Sequence, residues 1–588
     1  MRSMFCLMLL IPALIFAGNL HPVKVLPNEN PGNGKTPAAT VNPHPPATVK
    51  FVVGRVDTIG GTTYDWQSNG PSYRWLVNAP GYGLHATWMF SAEPPPSWTD
   101  RNMRYNYYDF TTGMWNFVEP GDFMASGVNV FTNRSGYGNV DFNPANGAAI
   151  ISCHQSPGGA AIRPVLARDQ ETGQGLFEYC DGSPNTEGYL WPYIGYDGEV
   201  FHCALLDDAT RDQLYYTKVA TWCEWEPPVG IVAPQPDPGF PDQNIAVSKI
   251  SGKICITWVQ TPPSGFMDEP AYYRISTDGG TTWQDPVILE DPPAYTPPDT
   301  NPSFHIASLF PYFDSEDRLH IVCHVTPFVR DTNWILPAEV WHWCPDNNPN
   351  WSRIHRADAE SLAGPVGSNA SLACRASIGQ DSRGRLYVAW EQFDPLNLEP
   401  QTELLRADIY MALSEDNGNT WLPAVKITEA GTASCRYPCV ADRAVEQNGT
   451  ILMPVIYMID QMAGTVVLET PQGQPTNNPI VVHWVQAESL GAGVADLPKN
   501  NPTRVELSAS PNPFSSRTVI SYTVPRSGNV SLVLYDAAGR PVKTLVNGYR
   551  EAGRYTLNLN GKELSAGIYF YTLSVDGTSL TRKLTVAR

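Results

Sequence analysis

The sequence predicts an all-β protein whose main part is a β-propeller, a ring of small antiparallel sheets. Three observations predict it: a recurring apolar strand, a recurring turn that contains tryptophan, and the composition. The chain has 47 Gly, 54 Pro, 17 Trp and 27 Tyr among 588 residues, and only 16% of its residues are charged. Many short strands joined by frequent turns need this mixture, whereas a helical protein has more Ala, Leu, Glu and Lys.

The recurring strand is a turn followed by alternating apolar residues. It is clearest at residues 252–258 and 384–390, and it also fits residues 84–88, 147–153, 198–204, 318–323 and 449–455. The last apolar residues, from Trp88 to Val455, lie 65, 51, 54, 65, 67 and 65 residues apart. A near-regular period is typical of a propeller, because one four-stranded sheet cannot bury both faces alone. Seven units predict seven blades. If the first or the second unit is not a true repeat, the prediction becomes six blades.

The recurring turn has the pattern S-x-D-x-G-x-T-W at residues 276–283 and 414–421. The aspartate accepts hydrogen bonds from nearby backbone N–H groups, the glycine adopts a conformation that a Cβ would obstruct, and the tryptophan fills the gap between neighbouring sheets. The predicted structural residues of the two copies are Ser276, Asp278, Gly280, Trp283, Ser414, Asp416, Gly418 and Trp421.

Two weaker copies extend the repeat. Residues 344–351 keep the spacing from Asp346 to Trp351 and have asparagine in place of the glycine. Asparagine also tolerates left-handed backbone geometry. Residues 107–115 have Asp109, Gly113 and Trp115, with the spacing slipped by one.

The turn resembles the Asp box of sialidase-type β-propellers. The resemblance implies the propeller fold, with six blades in sialidases. It also implies that these turns lie on the outer rim, away from any binding site, so the turn residues are predicted to be structural.

The N-terminus predicts export. Residues 1–18 have the charged start and the short apolar segment of a secretory signal peptide, and residues 19–48 form a leader rich in Pro and Asn. The apolar segment is too short to span a membrane, and no other candidate span follows. The propeller is predicted at residues 49–488, with a linker at 489–504.

The C-terminal residues 505–588 contain four motifs, at 505–514, 518–522, 533–542 and 564–569, and end in Arg582-Lys583-Leu584-Thr585-Val586. This segment resembles the Por-type sorting domain of type IX secretion and the related Ig-like module of the flagellar hook cap. The resemblance implies a small Ig-like β-sandwich, a type IX translocon as partner, and secretion to the surface of a Gram-negative bacterium. The alternative is a sandwich appended only for stability.

Charge and spacing exclude several functions. With 39 Lys and Arg against 58 Asp and Glu, the formal net charge is −19, which argues against nucleic acid or an anionic membrane as partner. No glycine-rich phosphate loop and no CxxC pair is present, so neither a nucleotide cofactor nor a metal is predicted. Cys435 and Cys439 are close enough in sequence to form a disulfide, but the sequence does not determine the pairing.

Three arginines precede repeated strands: Arg74, Arg375 and Arg436. Guanidinium groups that converge at a channel mouth would bind a carboxylate bidentately, as sialidases bind sialic acid. The alternative is that these arginines bind neighbouring turns. Glu391 and Tyr437 are weak catalytic candidates, because a nucleophilic tyrosine needs a carboxylate within hydrogen-bonding distance.

The sequence departs from the sialidase pattern, since Arg74 is followed by Trp75-Leu76 rather than Ile-Pro. The leading hypothesis is therefore recognition of an extracellular glycan or protein. The alternative is sialidase-type hydrolysis of acidic sugars, and whether the protein is an enzyme stays open.

Overall fold

The computed structural model describes residues 49–587, apart from residues 69, 96–97, 157–161, 182–187, 210–212, 233–241, 260–269, 296–302, 330–332, 448, 468–470, 492–504, 506, 516, 525–527, 551–552, 562–563 and 576–577. The predicted signal peptide and leader lie outside the described residues. The chain divides into two compact units, Met1–Ala492 and Gly493–Arg588.

The main sheets of the first unit are antiparallel, and in six of them the four principal strands follow one another in chain order. Sheet 1 comprises Leu76–Ala79, Gly83–Phe90, Asn102–Asp109 and Met114–Trp115. Sheet 2 comprises Val140–Phe142, Ala149–Gln155, Arg163–Asp169 and Phe177–Asp181. Sheet 3 comprises Tyr189–Tyr196, Phe201–Asp207, Leu214–Thr221 and Glu224–Trp225.

The next three sheets have the same order. Sheet 4 comprises Asn244–Val247, Ile254–Val259, Ala271–Ser276 and Val287–Ile288. Sheet 5 comprises Ser303–Phe313, Leu319–Phe328, Ala338–Trp343 and Trp351–Ala357. Sheet 6 comprises Ala373–Gln380, Leu386–Leu398, Leu405–Ser414 and Val425–Lys426.

Sheet 7 joins the two ends of the unit. Its strands are Ser434–Val440, Thr450–Asp460 and Asn478–Gln486, and its outermost strand is the N-terminal Arg55–Thr62. Each sheet packs against the next, and sheet 7 packs against sheet 1. Among the described residues, seven sheets of this kind therefore form a closed ring, with their first strands innermost.

Each predicted apolar repeat forms the second strand of one sheet. These strands are buried on both faces, and their largest side chains, Trp88, Trp258 and Trp390, are at most 1% exposed. Second strands are covered by a neighbouring sheet on either side, which is why their apolar pattern is the clearest in the sequence.

The two full turns join the third and fourth strands of sheets 4 and 6, on the outer side of the ring. In the first, Thr282 donates to both carboxylate oxygens of Asp278, from N at 2.8 Å and from Oγ1 at 2.6 Å, and Gly280 N donates to Ser276 Oγ at 2.9 Å. The second turn has the three corresponding hydrogen bonds around Asp416, and their lengths agree with those of the first turn within 0.1 Å. We call residues 276–283 and 414–421 the aspartate turns.

The tryptophans of the turns lie at equivalent positions, because each contacts the preceding sheet. Trp283 packs edge-on against Tyr216 of sheet 3, and Trp421 Nε1 donates to Ser352 Oγ of sheet 5. Trp351 of the weaker copy donates to Glu290 O, which follows sheet 4. Trp115 of the slipped copy donates to Asp57 Oδ2 of sheet 7.

The structure contains a disulfide between Cys180 of sheet 2 and Cys223, which follows the third strand of sheet 3. Cys435 and Cys439 are both buried free thiols, so the pair suggested by their short spacing is not bonded. They lie in the innermost strand of sheet 7, on either side of an irregularity in its pairing.

The predicted linker at 489–504 begins inside the first unit. Its first residues belong to the 3-10 helix Ala487–Leu490, and Leu490 is buried in the propeller core. No helix among the described residues has the length and apolarity needed to cross a membrane.

The second unit is a two-sheet β-sandwich around its own apolar core. One sheet comprises Leu507–Ser510, Arg517–Val524 and Gly553–Asn560. The other comprises Pro541–Arg550, Gly528–Asp536, Gly567–Val575 and Thr578–Val586. Ile520, Leu532 and Leu573 are fully buried between them.

Candidate functional site

The innermost strands of four sheets share a bulge, which lies near the N-terminal end of the strand in sheets 3 and 6 and at mid-strand in sheets 5 and 7. Pairing with the second strand is interrupted there, and a non-glycine residue adopts positive φ: Trp191, Ser308, Arg375 and Tyr437. A bulge re-aims a side chain and costs conformational energy, so its recurrence at one end of the channel marks this end as a candidate site.

Two of the three predicted arginines converge there on one carboxylate. Arg375 Nη1 lies 2.5 Å from Glu391 Oε1, and Arg436 Nε lies 3.2 Å from Glu391 Oε2. Tyr437 N donates to Glu391 Oε2 at 2.7 Å, and Cys374 Sγ lies 3.3 Å from Oε1. We call Arg375, Glu391, Arg436 and Tyr437 the mouth cluster.

The electrostatics of the mouth cluster fix Glu391 as an anion. Burial by itself raises the pKa of Glu391, but the charges of Arg436 and Arg375 and the Tyr437 N–H outweigh it and bring this pKa to about 2. The same pairing raises the pKa of both arginines, against the effect of their burial. Glu391 is fully buried, so its single negative charge offsets one of the two guanidinium charges inside the protein, and the mouth cluster keeps one positive charge in excess.

Tyr437 is not activated by this arrangement. Its contact with Glu391 is through the backbone N–H, while its ring lies beside both guanidinium groups, 4.9 and 5.0 Å from ring centroid to Cζ. Burial raises the pKa of the Tyr437 hydroxyl to about 12. Glu391 is thus placed as a partner of the arginines rather than as a base for the tyrosine.

Arg74, the third predicted arginine, lies elsewhere in the channel. Its guanidinium donates to the carbonyl oxygens of Val440 at 2.8 Å and Ile378 at 3.1 Å, and it lies 4.6 Å from the centroid of the Phe310 ring. The structure therefore brings Arg375 and Arg436 together with Glu391 and Tyr437, but not Arg74.

Ser72 and Tyr73 fill the channel between the mouth cluster and Arg74. Ser72 Oγ lies 3.2 Å from the carbonyl oxygens of both Arg375 and Pro438, and Asn244 Nδ2 donates to Ser72 O at 3.3 Å. A residue that contacts sheets 4, 6 and 7 at once lies near the axis of the ring. Tyr73 stacks on Tyr193 of sheet 3 at 4.4 Å, and both Ser72 and Tyr73 are buried.

Sequence reasoning missed two buried carboxylates, Asp65 and Asp460. Asp65 accepts hydrogen bonds from Thr465 Oγ1 and Val466 N, both at 2.8 Å, and Asp460 accepts one from Met462 N. Burial raises the pKa of Asp65 to about 6; burial and the neighbouring Asp65 charge raise that of Asp460 well above its usual value. The positive charge of Arg436 acts in the opposite direction and lowers both pKa values. No local motif distinguishes either residue among 58 acidic ones.

Among the residues that the structure describes, no group of three or more His, Cys, Asp or Glu side chains is arranged to hold a metal ion. His324 lies near the mouth cluster, and burial lowers its pKa to about 3, with the charges of His305 and Arg375 contributing. The imidazole is therefore neutral at physiological pH.

The C-terminal residues 508–587 match the secretion system C-terminal sorting domain. The protein is thus a type IX secretion substrate, located at the cell surface or outside the cell, and its sandwich domain interacts with that secretion machinery. No curated protein is significantly similar to the chain.

Several solved structures resemble the chain weakly. The polysaccharide lyase Uly1 is 11% identical with a TM-score of 0.38, covering 75% of this chain and 99% of its own. The Trypanosoma rangeli sialidase in complex with sialic acid is 11% identical with a TM-score of 0.38, covering 80% and 88%. The Penicillium chrysogenum alpha-L-arabinanase complexed with arabinobiose is 12% identical with a TM-score of 0.35, covering 74% and 98%. The ring of sheets itself, rather than these similarities, identifies the propeller.

Proposed function

We propose that this exported propeller recognises an extracellular glycan without cleaving it. The observation that supports recognition over hydrolysis is the pairing of Glu391 with Arg375 and Arg436. A carboxylate clamp must present unpaired guanidinium groups to its ligand, and here a buried internal carboxylate already occupies both. A substrate that displaced Glu391 would leave a buried anion without partners, which is costly.

Binding to a panel of soluble acidic and neutral polysaccharides tests this proposal. The purified full-length secreted chain is expected to bind at least one of them saturably, while releasing no reducing ends from it. If the chain binds none of the polysaccharides, glycan recognition is overturned. Release of reducing ends would overturn the absence of cleavage.

Hydrolysis of sialidase type is the second candidate, and one observation favours it. Asp65 and Asp460 are buried carboxyl groups with raised pKa near Arg436, and an acid that stays protonated near neutral pH can protonate a leaving group. In this alternative Tyr437 would be the nucleophile beside Arg375 and Arg436.

A fluorogenic sialoside distinguishes the two candidates. Recognition predicts no turnover by the wild-type chain above an Arg375→Ala control. Hydrolysis predicts turnover that Tyr437→Phe abolishes, because this change removes only the hydroxyl group. Thermal unfolding of both variants shows whether a loss of activity reflects a loss of fold.

A further inference from the structure

A cavity occupies the channel on the other side of Ser72 and Tyr73 from the mouth cluster. It has a volume of about 730 Å³, open solvent included, and it is lined by residues of sheets 1 to 5 and of the loop that follows the innermost strand of sheet 7. Much of its lining lies on the innermost strands; Ile194 and Phe310, for example, follow the bulges of sheets 3 and 5. Ser72 and Tyr73 are both buried between this cavity and the mouth cluster.

Two of the three carboxylates that line the cavity are already paired with cations. Asp141 accepts from Lys249 Nζ at 2.6 Å and from Tyr196 N at 2.8 Å. Asp314 forms an ion pair with Arg318 at 2.7 Å, and its Oδ2 lies 3.2 Å from His320 Nε2. These acids therefore add little negative potential to the cavity.

Two guanidinium groups in the same lining, those of Arg74 and Arg443, have no carboxylate partner among the described residues. Arg74 donates only to carbonyl oxygens, which accept hydrogen bonds but do not cancel its charge. The half-buried guanidinium of Arg443 forms no hydrogen bond or ion pair with any residue that the structure describes. The third carboxylate, Asp442, accepts a hydrogen bond from Asn78 N at 2.8 Å. Since Lys249 offsets Asp141 and Arg318 offsets Asp314, two guanidinium charges face the one carboxylate of Asp442, which leaves an excess of one positive charge in a protein whose formal net charge is −19.

The wall beside Arg74 is aromatic and rigid. The guanidinium lies over Phe310, at 4.6 Å, and beside Tyr312, at 5.9 Å from the ring centroid. The Tyr312 hydroxyl donates to Asp442 O at 2.9 Å, which fixes the ring. Preorganised cations beside a fixed aromatic surface favour a compact anion that also has an apolar face. Acidic sugar units have both features.

The geometry points to this cavity as the binding site for a terminal acidic sugar unit, whose anionic group contacts Arg443 and Arg74. This assignment rests on the proposed glycan recognition and adds the site and the ligand class to it. The mouth cluster, at the other end of the channel, takes no part in this binding.

Calorimetric titration of the full-length chain with D-glucuronate tests the assignment, with D-glucose and inorganic sulfate as comparisons. We expect glucuronate to bind, glucose not to bind, and the affinity to fall as ionic strength rises. We expect Arg443→Gln to weaken glucuronate binding at least tenfold. Arg163→Gln, which removes a cation from a surface ion pair on sheet 2, is the matched control and is expected to bind as wild type.

Three results would overturn the assignment. These are no glucuronate binding by the wild type, unchanged binding by folded Arg443→Gln, or sulfate binding as tightly as glucuronate, which indicates a simple anion site. If Arg443→Gln still binds a polysaccharide that the wild type binds, the assigned site is wrong but glycan recognition stands. If the wild type binds no saccharide at all, both proposals fail.

Discussion

The aspartate turns on the rim and the mouth cluster in the channel both use carboxylates, but in opposite ways. The carboxylates of Asp278 and Asp416 receive hydrogen bonds from residues four positions away, in contact with solvent. The carboxylate of Glu391 is fully buried and binds Arg436, 45 residues away in another sheet. The rim carboxylates stabilise a local turn, whereas Glu391 joins sheets 6 and 7. Substitutions at the two places should therefore differ greatly in effect.

The largest effect is expected from Glu391→Gln. The change leaves Arg375 and Arg436 buried without a counter-charge, so the free energy of unfolding should fall by about 3–5 kcal/mol. Denaturant titration measures it. Glu429→Gln is the control, because its pair with Lys50 is exposed and contributes roughly 0–1 kcal/mol. Equal losses in the two variants would contradict the contrast between buried and exposed carboxylates.

The next largest difference in stability is expected between alanine substitutions at two neighbouring glycines of the first aspartate turn. Both have positive φ, so alanine at Gly279 should cost roughly 1–2 kcal/mol through backbone strain alone. A Cβ at Gly280 would lie 1.9 Å from the Tyr216 hydroxyl oxygen, while nothing lies within 4 Å of one at Gly279. Gly280→Ala should therefore cost about 1–3 kcal/mol more. Equal thermal shifts for the two variants would show that the turn does not pack against sheet 3 as described.

A smaller effect, dependent on pH, is expected from Asp460→Asn. A carboxyl group whose pKa is raised in the folded state contributes its stability at low pH and loses it as pH rises through the raised value, about 6 for Asp65. Removing one of the two charges should leave the variant more stable than wild type at pH 8, by about 1–2 kcal/mol, but not at pH 4.5. Denaturant titrations of both proteins at pH 8 and at pH 4.5 test this prediction. Asp346→Asn, at an exposed position, is the control. A difference independent of pH would show that the two carboxylates are not coupled.

The smallest effect concerns the rim. Asp416→Ala removes three hydrogen bonds in a partly exposed turn, so the expected loss is about 1 kcal/mol. Asp346 forms no side-chain hydrogen bond with the described residues, and Asp346→Ala should leave the melting temperature unchanged. A larger loss at Asp346 than at Asp416 would contradict the view that the weaker copy keeps only its tryptophan contact.

The contrast also explains what the sequence could predict. The second strands and the aspartate turns have recognisable patterns in the sequence because these patterns depend on residues within about eight positions of each other. The ion pairs of Glu391, the position of Arg74 and the Cys180–Cys223 disulfide, 43 residues apart, depend on how distant segments meet. Nothing near Ser72 in the sequence indicates that it lies across the axis. Spacing of the three arginines could not show that only two of them share a carboxylate.

Closure of the ring by Arg55–Thr62 has a kinetic consequence. Asp57 of this strand accepts a hydrogen bond from Trp484 Nε1 at 2.8 Å, across 427 positions of the chain, and another from Trp115 of sheet 1. Contacts between such distant positions require a large loss of chain entropy before they stabilise anything, which slows folding. The earlier sheets can assemble on their neighbours in chain order, but the final seam requires the strand that ends at Gln486. Until then the first and last sheets expose unpaired edges, the stage at which a polypeptide is most open to aggregation.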